Sequence, residues 1–215
     1  AEVESFAVPS GLFISYRLSD GTEEASIKRV HPSSTHLIRV NEVNSVSRET
    51  EQSHLSPSEA LKRLEAIQRL PEHRKILPLG AAICAGGFTL MFGGGGPELA
   101  VSFLLAAGVQ LLALGLERLH MQPLFSTLLG SILTALLPLC LTLFWPDLAT
   151  VPIIAGALMP MLPGLKMTTA VQDSMRGDMV SGLSQGVQAI LTAGLVAGGA
   201  LVADKIFRLL IGGGL

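Results

Sequence analysis

The hydrophobic pattern divides the chain into a mixed first third and a remainder built of long apolar runs. Five runs after residue 75 contain no Asp, Glu, Lys or Arg and are separated by short polar breaks. A helix crosses a hydrocarbon core of about 30 Å with about 20 apolar residues. A soluble bundle is the alternative, but helices with almost no polar face would present nothing to water. We therefore predict an α-helical membrane protein with five transmembrane helices, at residues 76–97, 99–116, 119–146, 148–165 and 179–203.

Residues 1–75 predict a small α+β domain that precedes the transmembrane domain at residues 76–215. Apolar and more polar positions alternate over residues 12–18, a turn follows, and residues 24–30 return as a second strand. This pattern is typical of a β-hairpin. Residues 37–46 predict a third strand.

Start signals at Ser56 predict one helix in this domain. Ser56 suits the N-cap, Pro57 the first helical position and Glu59 the position that closes a capping box. The apolar side chains that share one face of this helix up to Pro71 are Ala60, Leu61, Leu64 and Ile67. Three strands and one helix make a thin core, so we expect the domain to be incomplete at its N-terminus or to lean on a partner.

Charged residues are concentrated in this first domain, which holds ten of the 15 Lys and Arg and eleven of the 17 Asp and Glu. A net charge of −2 without a basic run argues against a nucleic-acid partner.

Positive residues beside the predicted spans indicate their orientation. Lys75 precedes the first span, Arg118 follows the second and Lys166 follows the fourth. Positive residues mark the cytoplasmic side, so we predict a cytoplasmic N-terminal domain. The start at Ala1 shows no charged and apolar leader, and we predict no signal peptide.

The cysteines and histidines of the sequence indicate neither a metal site nor a catalytic one. Cys84 and Cys140 lie inside apolar runs, and the five histidines show no metal-ligand spacing. The sequence contains no phosphate-binding loop. We therefore predict no metal, no cofactor and no enzymatic activity.

The fourth predicted span is interrupted by prolines. Pro160 and Pro163 cannot donate to the carbonyls of Gly156 and Met159, so a helix would break or kink near Gly164. Transporters build binding sites from such interrupted helices. The alternatives are a simple proline kink and a helix that ends early at the cytoplasmic face.

A polar loop is predicted after this span, at residues 166–178. Its charged side chains and the head of the fifth span could form a vestibule that recognises a small anion, although a solvated loop is the commoner case. The candidate pathway and gating residues are Pro160, Pro163, Gly164, Lys166, Asp173, Arg176, Asp178 and Ser181.

Small residues form a stripe along the fifth span. Such residues let membrane helices approach closely. The stripe serves packing within the chain, docking of another subunit, or sliding during transport; its members are Gly182, Gly186, Ala189, Ala193, Ala197 and Ala200. Asp204, at its far end, is either a relay residue or an interfacial one.

Taken together, these features resemble the threonine/serine exporter family of bacterial inner-membrane proteins. The resemblance extends over essentially all 215 residues. It is carried by residues 4–10 (ESFAVPS), 58–60 (SEA), 159–164 (MPMLPG) and 173–182, with Asp173 and Asp178 five apart. The chain is similar to the larger, five-span subunit of the split two-component succinate exporter. That similarity implies a partner, a second small membrane subunit of about four to five spans.

The resemblance implies a subunit of a bacterial inner-membrane secondary exporter. A succinate-like dicarboxylate is our first substrate hypothesis, and threonine or serine the second. The competing hypothesis is a non-transporting membrane scaffold whose cytosolic domain binds a partner.

Overall fold

Two units, Ala1–Arg74 and Lys75–Leu215, divide the chain in the computed structural model. The structure describes residues 3–8, 11–18, 21–30, 36–52, 55–70 and 74–211.

A three-stranded antiparallel sheet forms the first part of the N-terminal unit, with strands β1 (Val3–Val8), β2 (Gly11–Arg17) and β3 (Glu23–Arg29) in that order. Phe13 of β2 pairs with Phe6 of β1 and Ile27 of β3. The hairpin predicted from alternation is confirmed, and Gly21 has the positive φ of +85° that suits its turn. The other two residues of the predicted turn, Ser19 and Asp20, lie outside the described residues.

Two helices complete this unit, α1 (Leu37–Glu51) and α2 (Pro57–Gln68). The predicted third strand at residues 37–46 is wrong, because that segment lies in α1. Its apolar side chains recur every three residues, which suits a helix, and the ring of His36 caps the first turn by accepting the N–H of Arg39 at 3.2 Å. The predicted start of α2 is confirmed, since Ser56 and Glu59 form a reciprocal capping box.

The second unit is helical throughout its regular structure. Its helices are α3 (Leu77–Met91), α4 (Gly96–Arg118), α5 (Pro123–Leu141), α6 (Thr150–Leu158), α7 (Gly164–Met175) and α8 (Met179–Leu210), with 3₁₀ turns at Arg74–Ile76 and Met159–Met161. Within the described ranges, α4, α5 and α8 are long and apolar enough to cross a membrane. Helix α6 with its 3₁₀ turn is bent by 51° against α7, and this pair counts as a fourth span if it is one broken span.

Five transmembrane helices are therefore not confirmed. Helix α3 has 15 residues, about 22 Å at 1.5 Å per residue, which is less than a hydrocarbon core of about 30 Å. It ends at Met91 rather than at residue 97, because Gly93 takes a positive φ and the N–H of Gly94 bonds back to the carbonyl of Thr89. The polar loop predicted at residues 166–178 is also wrong, since most of it is helix α7.

Close packing in this unit depends on small residues where helices meet. Helix α3 packs against α4 and α6, and α8 packs against α5 and α7. A methyl group on Gly156 would lie 2.6 Å from the backbone nitrogen of Thr89, and one on Gly182 would lie 2.8 Å from the carbonyl oxygen of Ala170. Such distances are below van der Waals contact, so α6 on α3 and α8 on α7 approach as only glycine permits.

Candidate functional site

The break between α6 and α7 is made by a 3₁₀ turn that contains Pro160. Pro163 stands at the N-cap of α7, and Gly164 is its first residue. The carbonyls of Gly156 and Met159, to which Pro160 and Pro163 cannot donate, are not left without partners. The carbonyl of Gly156 accepts the N–H of Met159, and the carbonyl of Met159 accepts the N–H of Leu162 at 3.2 Å. The chain thus bends by tightening its hydrogen bonds from four residues to three.

A tight turn returns the chain from α7 into α8. Gly177 adopts a φ of +93°, and its N–H bonds to the carbonyl of Ser174. The N–H of Asp178 bonds to the carbonyl of Asp173 at 2.9 Å. These two bonds form a Schellman motif, which ends α7 and sets α8 antiparallel beside it.

Four side chains form a polar network between α7 and α8. The Oδ2 atom of Asp173 accepts hydrogen bonds from the hydroxyl of Ser181 at 2.8 Å and the amide of Gln185 at 2.7 Å. The hydroxyl of Thr169 donates to Oε1 of Gln185 at 2.6 Å. All four side chains are half-buried. We call Thr169, Asp173, Ser181 and Gln185 the α7–α8 network.

Two members of the network were candidates from the sequence, and two were missed. Asp173 and Ser181 are among the predicted residues, whereas Thr169 and Gln185 are not. The signal for the missed pair was present in the spacing. Thr169 precedes Asp173 by four residues and Gln185 follows Ser181 by four, so each pair lies on one face of its helix once α7 is known to be helical.

The remaining charged candidates do not join the network. Lys166 donates to Oε1 of Gln188 at 3.4 Å. Arg176 and Asp178 are exposed, and their side chains make no hydrogen bond or ion pair within the described part of the chain. Arg176 borders a wide groove of about 840 Å³ along α7, lined mainly by Met167, Val171 and Met175.

Asp173 keeps one oxygen available for a ligand. Both of its hydrogen bonds reach Oδ2, and Oδ1 has no hydrogen-bond partner among the described residues. The carboxylate has no Lys or Arg partner in that same part of the chain. A half-buried carboxylate that is oriented by neutral donors attracts a cation such as an ammonium group.

The members of the small-residue stripe differ in how deeply they are buried. Gly182 and Ala189 are buried, Gly186, Ala193 and Ala200 are half-buried, and Ala197 is exposed. Beyond residue 190 the buried positions are instead Val196, Gly199 and Ala203. There the hydroxyl of Ser131 in α5 reaches the carbonyl of Leu195 at 3.3 Å. Part of the stripe therefore packs within the chain, and its contact with another subunit stays a prediction.

Asp204, at the far end of the stripe, has a local role in the structure. The carboxylate of Asp204 accepts a hydrogen bond from Arg208, one turn later, at 2.8 Å. Over the described residues, no three His, Cys, Asp or Glu side chains lie close enough together to hold a metal ion.

Comparison with known proteins extends this picture to the whole chain. The model of the ThrE family, described as "putative threonine/serine exporter", matches residues 1–207. The match covers the first unit, the second unit as far as residue 207, and the α7–α8 network. No curated protein and no solved structure shows significant similarity to the chain.

Proposed function

Because the chain belongs to the threonine/serine exporter family, we propose that it moves threonine or serine outward across a membrane as a secondary exporter. The family is one of transporters, and the long apolar helices α4, α5 and α8 are those of a multi-pass membrane protein. An enzymatic role is not part of the proposal.

The α7–α8 network is the observation that carries the proposal. An amino acid at neutral pH has an ammonium group, and Oδ1 of Asp173 is an acceptor that no described residue occupies. The hydroxyls of Thr169 and Ser181 lie on either side of Gln185 and can exchange hydrogen bonds with a hydroxyl-bearing substrate. We propose that Asp173 binds the substrate ammonium group.

The broken helix next to this network provides the movement that export requires. Residues 159–163 separate α6 from α7, and a methyl group on Gly164, the first residue of α7, would meet no atom within 4 Å. The end of α7 that follows the break is therefore not locked by close packing at this position. Alternating access by rocking of α7 and α8 about the break follows the pattern of transporters with interrupted helices.

The same proposal includes the orientation of the chain, a partner subunit and a preference between the two substrates. The positive residues beside the predicted spans support a cytoplasmic N-terminal unit in a bacterial inner membrane. A second small membrane subunit of about four to five spans would complete the exporter, in line with the resemblance to the split form. A succinate-like dianion is less well supported than an amino acid, because the network contains a carboxylate and the side chain of Arg176 makes no hydrogen bond or ion pair with any of its members.

Efflux from the native host tests the proposal, since that host supplies any partner subunit. Cells carrying Asp173→Asn in place of the native residue are preloaded with labelled threonine, and initial efflux is measured. We expect a loss of about tenfold or more, because a hydrogen bond to a charged group is worth about 1.5–3 kcal/mol. Asp147→Asn is the matched control, an exposed carboxylate between α5 and α6, and should leave efflux unchanged.

Other outcomes would contradict one part of the proposal or all of it. Equal efflux in the Asp173 and Asp147 variants would remove Asp173 from the pathway. Loss of labelled succinate efflux with threonine efflux intact would favour the dianion. If deletion of the gene changed neither solute, the non-transporting scaffold would be the better hypothesis.

A further inference from the structure

Glu98 is the one ionisable side chain that is buried among the described residues. It has a relative exposure of 9% and lies in the first turn of α4, in a unit whose other buried polar side chains are neutral hydroxyls. An ionisable group buried in a membrane bundle is costly and needs partners that stabilise its charge.

The partners of Glu98 are the starts of two different helices. Its Oε2 atom accepts the N–H of Gly95, the N-cap of α4, at 2.9 Å. Its Oε1 atom accepts the N–H of Ala149, the N-cap of α6, at 3.2 Å. One carboxylate therefore joins α4 to α6, with the positive ends of both helix dipoles directed at its charge.

No cation of the described residues shares this position. Among the helices packed against α4, α3 carries one ionisable side chain, Cys84, α5 carries one, Cys140, and α6 carries none. Asp147, between α5 and α6, is exposed, and the charges of α4 itself, Glu117 and Arg118, stand at its other end. The negative charge of Glu98 is thus held by N–H donors alone, and a proton can neutralise it without displacing another ion.

We propose that Glu98 is a proton-operated latch on α6. The ionised carboxylate holds the start of α6 against α4. Protonation converts one of its oxygens into a donor. The proton is assigned to Oε1, whose hydrogen bond is the longer of the two at 3.2 Å against 2.9 Å, so the N–H of Ala149 loses the charged acceptor that held it. The start of α6 then moves away from α4 while Gly156, seven residues later, remains seated against Thr89 of α3.

This latch deepens the proposed function, on which its role in transport rests, because α6 is the first half of the bent pair. Leu158, the last residue of α6, lies nine positions after Ala149, the residue that Glu98 holds. Gly156 lies just before that end of the helix. A tilt about the contact between Gly156 and Thr89 would change the angle at which α6 meets the break. Glu98 is in this sense a positioning residue, far in sequence from the α7–α8 network.

Thiol labelling of the purified full chain tests the latch without transport. In a background with Cys84 and Cys140 replaced by alanine, Leu148→Cys reports on the start of α6, since Leu148 is 5% exposed beside Ala149. Asp147→Cys is the exposed reference that corrects for the reactivity of thiolate at each pH. We expect the ratio of the two rates to rise about tenfold as the pH falls from about 8 to about 3. The rise should come below the range where free carboxylates become protonated, because N–H donors to both oxygens of Glu98 favour its ionised form.

Two further variants distinguish release of α6 from other events. In Glu98→Gln the ratio should be high and independent of pH, since an amide does not accept both N–H groups as a carboxylate does. Ile153→Cys, fully buried in the middle of α6, should stay unreactive over the same range. A flat ratio with Glu98 intact, an unchanged pH profile in Glu98→Gln, or parallel exposure of Ile153→Cys would each overturn the latch. The labelling assay measures no flux. It can therefore contradict the latch while the efflux test supports the role of Asp173, and it can support the latch while the efflux test contradicts that role.

Discussion

Gly156→Ala tests how α6 is seated on α3. The added methyl group would lie 2.6 Å from the backbone nitrogen of Thr89 and 2.8 Å from the carbonyl oxygen of Ala85. Both atoms belong to the backbone of α3, so no side-chain rotation relieves them. An ordinary contact begins near 3.4 Å, and α6 must therefore move by about 0.8 Å.

The expected cost follows from two opposing terms. Overpacking of this kind costs about 1–3 kcal/mol. Replacing glycine by alanine inside a helix recovers about 1 kcal/mol of helix propensity. The net destabilisation is then about 0–2 kcal/mol, a fall in Tm of up to about 8 °C for a chain of this length. Relative to a glycine-to-alanine variant that gains the propensity without a clash, the difference is about 1–3 kcal/mol.

The measurement is thermal unfolding of the purified chain in detergent, with Gly87→Ala as the matched control. Gly87 lies in α3 two residues before Thr89, and a methyl group there would meet no atom within 4 Å. This control should keep or raise Tm because it gains helix propensity without a clash. If Gly156→Ala were as stable as Gly87→Ala, α6 would not lie against α3 in the way described.

Three further predictions concern other contacts. Gly182→Ala should push α8 away from the backbone of α7, weaken the α7–α8 network and lower threonine efflux several-fold. Gly199→Ala should lower Tm by crowding Ser131, whose Cβ would lie 2.9 Å from the new methyl group, and Ser131→Ala should restore part of that loss in a double-mutant cycle. In the N-terminal unit, hydrogen bonds from the side chain and then the backbone N–H of Ser56 lower the pKa of Glu59. This bonding stabilises α2 above the ordinary carboxyl pKa and is lost as the pH falls through the lowered pKa. Hydrogen exchange of α2 amides, corrected for intrinsic rates, should therefore accelerate there. Ser56→Ala should weaken that dependence, since it removes the hydroxyl donor and leaves the backbone N–H.

Controls for these predictions come from the same chain. Gly194→Ala adds a methyl group to α8 with no atom within 4 Å, so neither efflux nor Tm should fall. A loss in this variant equal to that of the crowded glycines would show that helix contacts are not the cause. Additive effects of the Gly199 and Ser131 substitutions would contradict their contact, and unchanged pH dependence after Ser56→Ala would contradict the cause assigned to the pKa of Glu59.

Local chemistry made the hairpin and the start of α2 predictable. The alternation over residues 12–18 and the capping signals at Ser56 and Glu59 act within a few residues of one another, and the structure contains both. The third strand failed for a different reason. Leu37, Val40, Val43 and Val46 also fit a helix, and short apolar segments do not separate the two cases by pattern alone.

The boundaries of the membrane helices depended on contacts that the apolar runs do not encode. Residues 76–97 contain no charge, yet α3 ends at Met91 because the glycines that follow fold back on Thr89. Residues 166–178 looked like a loop because they are polar. Their polar side chains find partners on α8, so α7 forms a helix despite its composition.

Both polar centres of the second unit are formed by hydrogen bonds between groups of two different helices. Gln185 was counted within an apolar run, and Glu98 as a break between two runs. Each is defined by a partner on another helix, Asp173 for one and Ala149 for the other, at 12 and 51 residues of separation. A carboxylate between apolar runs is therefore not necessarily a solvated break. Where two helix starts converge on it, its burial couples those helices to its protonation state, and only the tertiary arrangement distinguishes the two cases.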